Sequence, residues 1–570
     1  MDIERPLSAN ERIKRNSNLL RGTIADGLEH VETGALADDD TQLTKFHGFY
    51  QQDDRDLRAE RGKQRMEKAF IFMARMRVPA GILTPSQWLA VEKIALERAN
   101  GTIRLTTRET VQFHGILKGN LRPLMQGLND AMLDTIAACG DVNRNVIATV
   151  DPWRRDLHAT ISALARDLSV HLLPRTRAWH EIWVGEEKVA GGVVEDEPIL
   201  GRTYLPRKFK IAVALPPHND VDVFAHDLGF IAIVQQGEIV GYNVVVGGGM
   251  GMTHGEPETY PRTGNVIGFC AGRDAVDVAE QVVTVQRDFG DRSNRKHARL
   301  KYTIDGMGLE RFVTLLQERL AVKLEPARAY AFTSTGDRLG WAEEADGTSH
   351  FTLFVENGRV RDLPGRRLLS GLHAIAELDV GRFIMTPNQN LVLADIPAAR
   401  RREVAALLAA HGLDAPVGGL RRNAMACVAL PTCGLALAES ERYLPDLVTR
   451  LEDALERVGL REDDITIRMT GCPNGCARPY VSEIGLVGRT PGVYNLYLGG
   501  AHVGTRLNKL HRRVVDGDAI VAALSPLFAS YAQERERGER FGDYVIRSGV
   551  VNETNAGLDF HENLSVEARN

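Results

Sequence analysis

The chain has 570 residues, 44% of them hydrophobic and 25% charged, with a formal net charge of −5. This is the composition of folded domains, about three or four of them at this length, and it excludes a collagenous, coiled-coil or mostly disordered chain. No apolar run reaches the roughly eighteen residues of a membrane-spanning helix, the start Met1-Asp2-Ile3-Glu4-Arg5 lacks a secretory signal, and the mild acidity gives no footprint of a nucleic-acid binder.

Residues 1–66 combine an acidic stretch (Asp38, Asp39, Asp40) with a charge-dense one from Asp53 to Glu67, and their apolar periodicity is weak. They predict a solvated or partly ordered N-terminal arm, or a segment that docks a partner. Globular patterning begins near Phe70. Thr84-Pro85-Ser86-Gln87 is a helix start, with threonine as cap, proline in the first turn and glutamine at the capping-box position. The helix buries Trp88, Leu89, Val91, Ile94 and Ala95. Ile103 to Phe113 follows as a strand rich in Thr, Val and Phe, on which Arg104 and Arg108 share a face. Further cations fall in Arg75-Met-Arg77, in Tyr204–Lys210, where Lys208 and Lys210 share a face if extended, and in Asn294–Lys301. Sets of this kind suit an anionic ligand or cofactor. Gly247–Gly251 satisfies no G-x-G-x-x-G register, and no Walker A, nicotinamide or flavin fingerprint is present, so any nicotinamide chemistry belongs to another chain. Residues 441–459 read as an amphipathic helix burying Leu444, Leu447, Val448, Leu451 and Leu455. Helices and strands mix throughout, giving an α/β (α+β mixed) class.

The sequence also repeats. Ile103–Phe113 resembles Phe383–Leu393, Arg144–Thr149 resembles Arg422–Cys427, and Gly241–Gly248 resembles Val493–Gly500, in the same order. Two related halves about a pseudo-two-fold axis follow. Thr149 matches Cys427, and Cys472 and Cys476 stand at roughly the place of Arg207, Lys208 and Lys210, so one half would supply positive charge and the other thiolates.

Of six cysteines, Cys139 and Cys270 stand alone and read as buried structural residues, while Cys427, Cys433, Cys472 and Cys476 cluster. In a reducing compartment such a cluster means metal or catalysis. Cys427-x5-Cys433 is wider than the usual zinc pairs. One thiolate per iron suits a [4Fe–4S] cluster, and Asn474-Gly475 permits a tight turn between two ligands. Zinc and free structural thiols remain alternatives at this point.

Ala426–Glu439 and Thr470–Cys476 are similar to the sirohaem and [4Fe–4S] signature of the sulfite and nitrite reductase family. Tyr50–Arg61, Gln112–Gly115, Asp141–Asn145 and Tyr204–Lys210 narrow the resemblance to its assimilatory, NADPH-dependent haemoproteins, over about residues 10–550. The resemblance implies a six-electron reduction of sulfite to sulfide. Cys427, Cys433, Cys472 and Cys476 would hold the cluster, with the Cys476 thiolate also on the sirohaem iron. It further implies Arg75, Arg144, Lys208 and Lys210 as substrate cations, and Arg104, Thr106, Arg108, Gln112, His114 and Arg299 as sirohaem contacts. NADPH, FAD and FMN would act only through a flavoprotein partner, in the cytoplasm. A nitrite reductase on the same fold, or an electron-transfer iron–sulfur protein without haem, are the competing functions. The expected organisation is an N-terminal arm (1–66) as the candidate docking segment, a discontinuous ferredoxin-like repeat domain (67–138 and 340–415), a first sirohaem- and substrate-binding half (139–339) and a second half carrying the cluster (416–570).

Overall fold

The computed structural model describes residues 6–175, 182–184, 187–190 and 197–561; the tail expected at Ser565–Asn570 lies outside them. Four five-stranded sheets occur in two matched pairs. In the first pair, one sheet runs Phe49–Asp53, Phe70–Arg75, Val111–Ile116, Ile103–Leu105, Arg359–Val360, and the other Gly340–Glu343, Ser349–Leu353, Leu391–Ile396, Arg382–Met385, Ile82–Leu83. Each sheet thus ends on a short strand given by the other repeat, which covers an edge that would otherwise stay open. The two segments share one apolar core. There Trp88, on a helix with the full Thr84/Gln87 capping box, stacks on Phe383 at 5.0 Å.

The second pair has the order Ile147–Ala148, Ile211–Ala214, Leu228–Gln235, Glu238–Val246, Asn265–Ala271 in one half. The other half has Ala424–Ala426, Ile467–Thr470, Ile484–Thr490, Val493–Leu498, Lys509–Val515. In both, the first three strands are parallel and the last two antiparallel. Ile211–Ala214 and Ile467–Thr470 are buried throughout, as parallel strands between layers must be. The helix Leu444–Glu456 lies inside the expected 441–459 and buries all five leucine and valine positions named for it.

Hydrogen bonds match across the halves. The Leu215 amide donates to Thr149 Oγ1 (3.0 Å) where the Gly471 amide points at Cys427 Sγ (3.3 Å). The Lys210 amide donates to Asp227 where the Thr466 amide donates to Glu483. Asp222 and Arg478 both hold left-handed backbones (φ 49° and 53°) ahead of equivalent short turns, and they pair with each other, so the pseudo-axis passes between them.

Three expectations change. Ile103–Phe113 is a hairpin, Ile103–Leu105 and Val111–Ile116, joined by a Thr106–Thr110 turn in which Glu109 has φ 50°. Arg108 therefore sits in the turn and shares no strand face with Arg104. The repeat Phe383–Leu393 makes the same turn, with Gln389 at φ 69°. Second, residues 6–66 are no solvated arm. Leu20, Leu36, Leu43, Phe46 and Phe49 are buried, Phe49–Asp53 pairs with Phe70–Arg75, and Lys14 reaches the Leu205 carbonyl at 2.9 Å. Short helices spread their apolar residues too irregularly to show a period. Third, Cys472 and Cys476 follow their strand, whereas Lys208 and Lys210 precede theirs. The strand register matches the cysteines to Pro216 and Asp220, and the lysines to Asp464 and Thr466.

Candidate active site

The four clustered cysteines come from two loops of the second half. Cys427 and Cys433 follow the strand Ala424–Ala426, and the Cys433 amide donates to the Ala429 carbonyl (2.8 Å). Cys472 and Cys476 lie on the turn after Ile467–Thr470. The Asn474 amide nitrogen approaches Cys472 Sγ at 3.5 Å, and Gly475 takes φ 63° where a Cβ would lie 2.9 Å from the Met250 carbonyl, so only glycine fits there. Burial pushes the Cys427, Cys433 and Cys472 thiols up, Cys472 to about 12, and a thiolate at Cys476 would raise all three further. Four adjoining thiolates in this setting need cationic partners. Among the described residues no three His, Cys, Asp or Glu side chains converge as ligands of one metal ion. A cubane, with one thiolate on each iron, needs no such convergence. The donor set fits a cluster better than a single zinc.

Cys476 is exposed, unlike the other three. A thiolate at this position would favour the charged forms of Arg75, Lys208 and Lys210. Arg144 stands close to Lys208 and donates to the Gly140 carbonyl at 2.8 Å. Burial, Arg207 and Arg299 lower Lys208 to about 7, and burial with Lys208, Arg108 and Arg299 takes Lys210 well below the lysine range. Among the described residues neither lysine side chain has a hydrogen bond or ion pair. Buried lysines crowded by other cations and without a protein partner suit an anionic ligand, which would favour their charged forms.

The expected tetrapyrrole contacts surround this point with differing freedom. Arg104 donates to the Ala426 carbonyl (2.8 Å) through Nη2 and pairs with Glu441 (3.4 Å) through Nη1, whereas Nε of Arg108 is buried without an acceptor. Thr106 caps the turn by accepting from the Arg108 amide (3.2 Å). Gln112, with its amide oxygen turned inward, accepts from Arg75 Nε (3.0 Å). His114 is held neutral by burial and by Arg359, Arg104 and Arg75, which makes it a poor proton donor. Arg299 is engaged by Asp227 through two bonds of 3.0 and 2.8 Å. The buried Arg108 donor left open suits a ligand carboxylate.

Several residues here were not picked out from the sequence. Cys139, read there as merely structural, accepts from Arg75 Nη1 at 3.1 Å. Tyr50 lies against Cys139, Arg144 and Arg75. Lys45, lowered to about 8 by burial and Arg295, sits over the Tyr50 ring at 5.6 Å. Arg55 donates to the Ala436 carbonyl beside Cys433. Glu441, pushed up by burial but pulled down to about 2 by Arg104 and Arg359, anchors both guanidiniums. Tyr50 and Arg55 fall within the quoted Tyr50–Arg61 motif, which was the available signal; the others depend on long-range contacts.

Residues 165–324 match the family described as nitrite and sulphite reductase 4Fe-4S domain. Residues 63–131 and 342–411 match the nitrite/sulfite reductase ferredoxin-like half domain. A "Sulfite reductase [NADPH] hemoprotein beta-component" of Methylobacterium sp. (strain 4-46) is 57% identical over 559 residues, covering 98% of this chain and 93% of that one. The chain belongs to this family. Another hemoprotein beta-component, from Anoxybacillus flavithermus, is 54% identical, with 98% of each chain covered. Among solved structures, the Mycobacterium tuberculosis NirA protein superposes with a TM-score of 0.76 at 26% identity, covering 96% of this chain and 97% of that one. No helix of the described residues is long and apolar enough to cross a membrane.

Proposed function

We propose that this chain is the haemoprotein component of an assimilatory, NADPH-dependent sulfite reductase, reducing sulfite by six electrons to sulfide. The observation that carries this reading is the meeting of Cys476 with Arg75, Lys208 and Lys210. Cys427, Cys433, Cys472 and Cys476 would hold a [4Fe–4S] cluster and Cys476 also the sirohaem iron, groups that together supply stepwise electron delivery to an oxyanion. Arg104, Thr106, Arg108, Gln112, His114 and Arg299 would bind the tetrapyrrole's carboxylates and orient it. Arg75, Arg144, Lys208 and Lys210 would hold the substrate's oxygens by charge-assisted hydrogen bonds, which strengthen where water is excluded. A lysine near neutrality such as Lys208 can also hand a proton to a leaving oxygen. In this reading residues 139–339 supply Arg144, Lys208 and Lys210, residues 416–570 the thiolates, and the repeat unit 67–138 and 340–415 supplies Arg75.

Electrons would come from NADPH through an α flavoprotein carrying FAD and FMN, with both chains in the cytoplasm. Residues 1–66 would present the docking surface, where Val31, Asp38 and Asp39 are exposed. Replacing Val31 by Glu and Asp38 and Asp39 by Lys should weaken flavoprotein binding and leave sulfite reduction by a chemical reductant unchanged; unaltered binding would discard the docking role. The function itself is tested by an absorption spectrum with and without sulfite, with iron and acid-labile sulfide assays. Sulfide formation and a sulfite-dependent tetrapyrrole spectrum support the proposal, a colourless protein refutes it, and faster turnover of nitrite reassigns the substrate.

A further inference from the structure

Across the pseudo-axis from the cysteines lies a cavity of about 420 Å³, lined in part by Trp153, His218, Asp220, Arg338, His502 and Arg540. It is the counterpart of the candidate active site. Strand pairing puts Thr352 where the other half has Arg75, and Val392 where it has Gln112. The equivalent turns put Thr386 at Thr106. Arg422 matches Arg144, Asp464 matches Lys208 and Asp220 matches Cys476. Arg540 immediately precedes the helix Phe541–Arg547, as Arg299 precedes Leu300–Met307. All these counterparts line the cavity.

The opening survives but the redox chemistry does not. The residues matching Cys427, Cys472 and Cys476 are Thr149, Pro216 and Asp220, so no thiolate faces this side. The charges that remain decide what could bind. Asp337 accepts from Thr386 Oγ1 (2.6 Å), Asn388 Nδ2 (2.9 Å) and Asn390 Nδ2 (2.8 Å), and is satisfied. Asp464 takes Arg422 (2.8 Å) and Asn423 (3.1 Å). Asp220 accepts from the amides of Val150 (2.9 Å) and Val221 (3.0 Å), and burial raises it to about 7. Arg299 has Asp227, but among the described residues neither the Arg540 nor the Arg338 side chain has a hydrogen bond or ion pair; the Arg338 guanidinium only lies over the Trp153 ring at 5.5 Å. His218 and His502 each use Nδ1, toward Ser334 Oγ (2.8 Å) and Glu483 (3.2 Å), leaving Nε2 open. The acids are occupied, as is Arg422, while the side chains of Arg338 and Arg540 are open. The volume falls at the small end for ligand sites.

We propose that this cavity is a second binding site, for a small dianion of the carboxylate or oxyanion class held by Arg338 and Arg540, separate from the site of sulfite reduction. The test uses the full-length cofactor-loaded protein carrying 5-fluorotryptophan, titrated with sulfate and with succinate and read by ¹⁹F NMR. Five tryptophans give assignable resonances, with W153F identifying the relevant one. The Trp153 resonance should shift saturably with at least one probe, the two arms telling an oxyanion from a carboxylate site. Arg338→Gln and Arg540→Gln should each weaken that binding at least tenfold, and Lys210→Met should leave it unchanged. Neither arginine side chain hydrogen-bonds to the described residues, and each replacement is read separately with its own unfolding midpoint as a check. A Trp153 resonance that neither probe moves, a shift indifferent to both arginine replacements, or one abolished by Lys210→Met would overturn the proposal.

Discussion

Equivalent loops of the two halves show how little of the backbone distinguishes a reactive site from an inert one. After Ile467–Thr470 the chain carries Cys472 and Cys476 and ends its turn at Arg478; after Ile211–Ala214 it carries Pro216 and Asp220 and ends at Asp222. Strand order, turn geometry and the supporting amide bonds agree. The difference lies in side chains: thiolates opposite free lysines on one side of the axis, satisfied carboxylates on the other. The fold is a scaffold used twice, and the proposed chemistry is grafted onto one copy.

The sharpest way to break this contrast is Cys476→Ser. It removes the thiol that acts on both Lys208 and Lys210, and sulfite reduction should be abolished together with the coupled tetrapyrrole spectrum, as read by absorption and iron content. Next is Lys210→Met, which should retain that spectrum while kcat/KM for sulfite falls about 10²–10³-fold, the scale of losing one preorganised charge donor. Asp222→Asn attacks the joint between the halves. Asp222, Arg468 and Arg478 are all buried and paired, and stranding two guanidiniums should cost about 3–5 kcal/mol in denaturant unfolding.

A smaller effect separates the two sides by pH. Lys208, lowered to about 7, becomes neutral as pH rises through that value. Anion affinity at the cysteine side of the protein prepared without sirohaem should therefore weaken from pH 6 to 8. The mate cavity, relying on arginines, should change less; equilibrium titration with sulfite and sulfate measures both. The smallest expectation is a null one. Thr149→Cys restores one thiol where its partners are Pro216 and Asp220, so iron content should not rise.

How much of this was legible in the sequence followed from how local the signal was. The cysteine pairs, the Thr84–Gln87 helix start and the leucine period of 444–456 are short-range patterns, and the structure keeps them. The hairpin at Thr106–Thr110 was read as one strand because its residues favour strands and its positive-φ position is filled by Glu109, where no glycine or asparagine marks a turn. Residues 6–66 looked solvated because their buried side chains are scattered among short helices and charges. The repeat was visible, but a displacement by one strand misplaced Cys472 and Cys476 against the lysines, since no alignment of residues alone tells which end of a strand a loop leaves. The Asp222–Arg478 pair and the closeness of Tyr50 to Arg144 link distant segments and had no local trace.

The central claim concerns the sulfur of Cys476. An experimental structure of the cofactor-loaded enzyme, with iron positions fixed by anomalous scattering at the iron edge, tests it most directly. The account predicts that Cys476 Sγ is bonded both to a cluster iron and to the tetrapyrrole iron, with Arg75, Arg144, Lys208 and Lys210 around that iron's opposite face. A Cys476 sulfur bonded to one of these centres or to neither, or an opposite face lined by carboxylates, would contradict it.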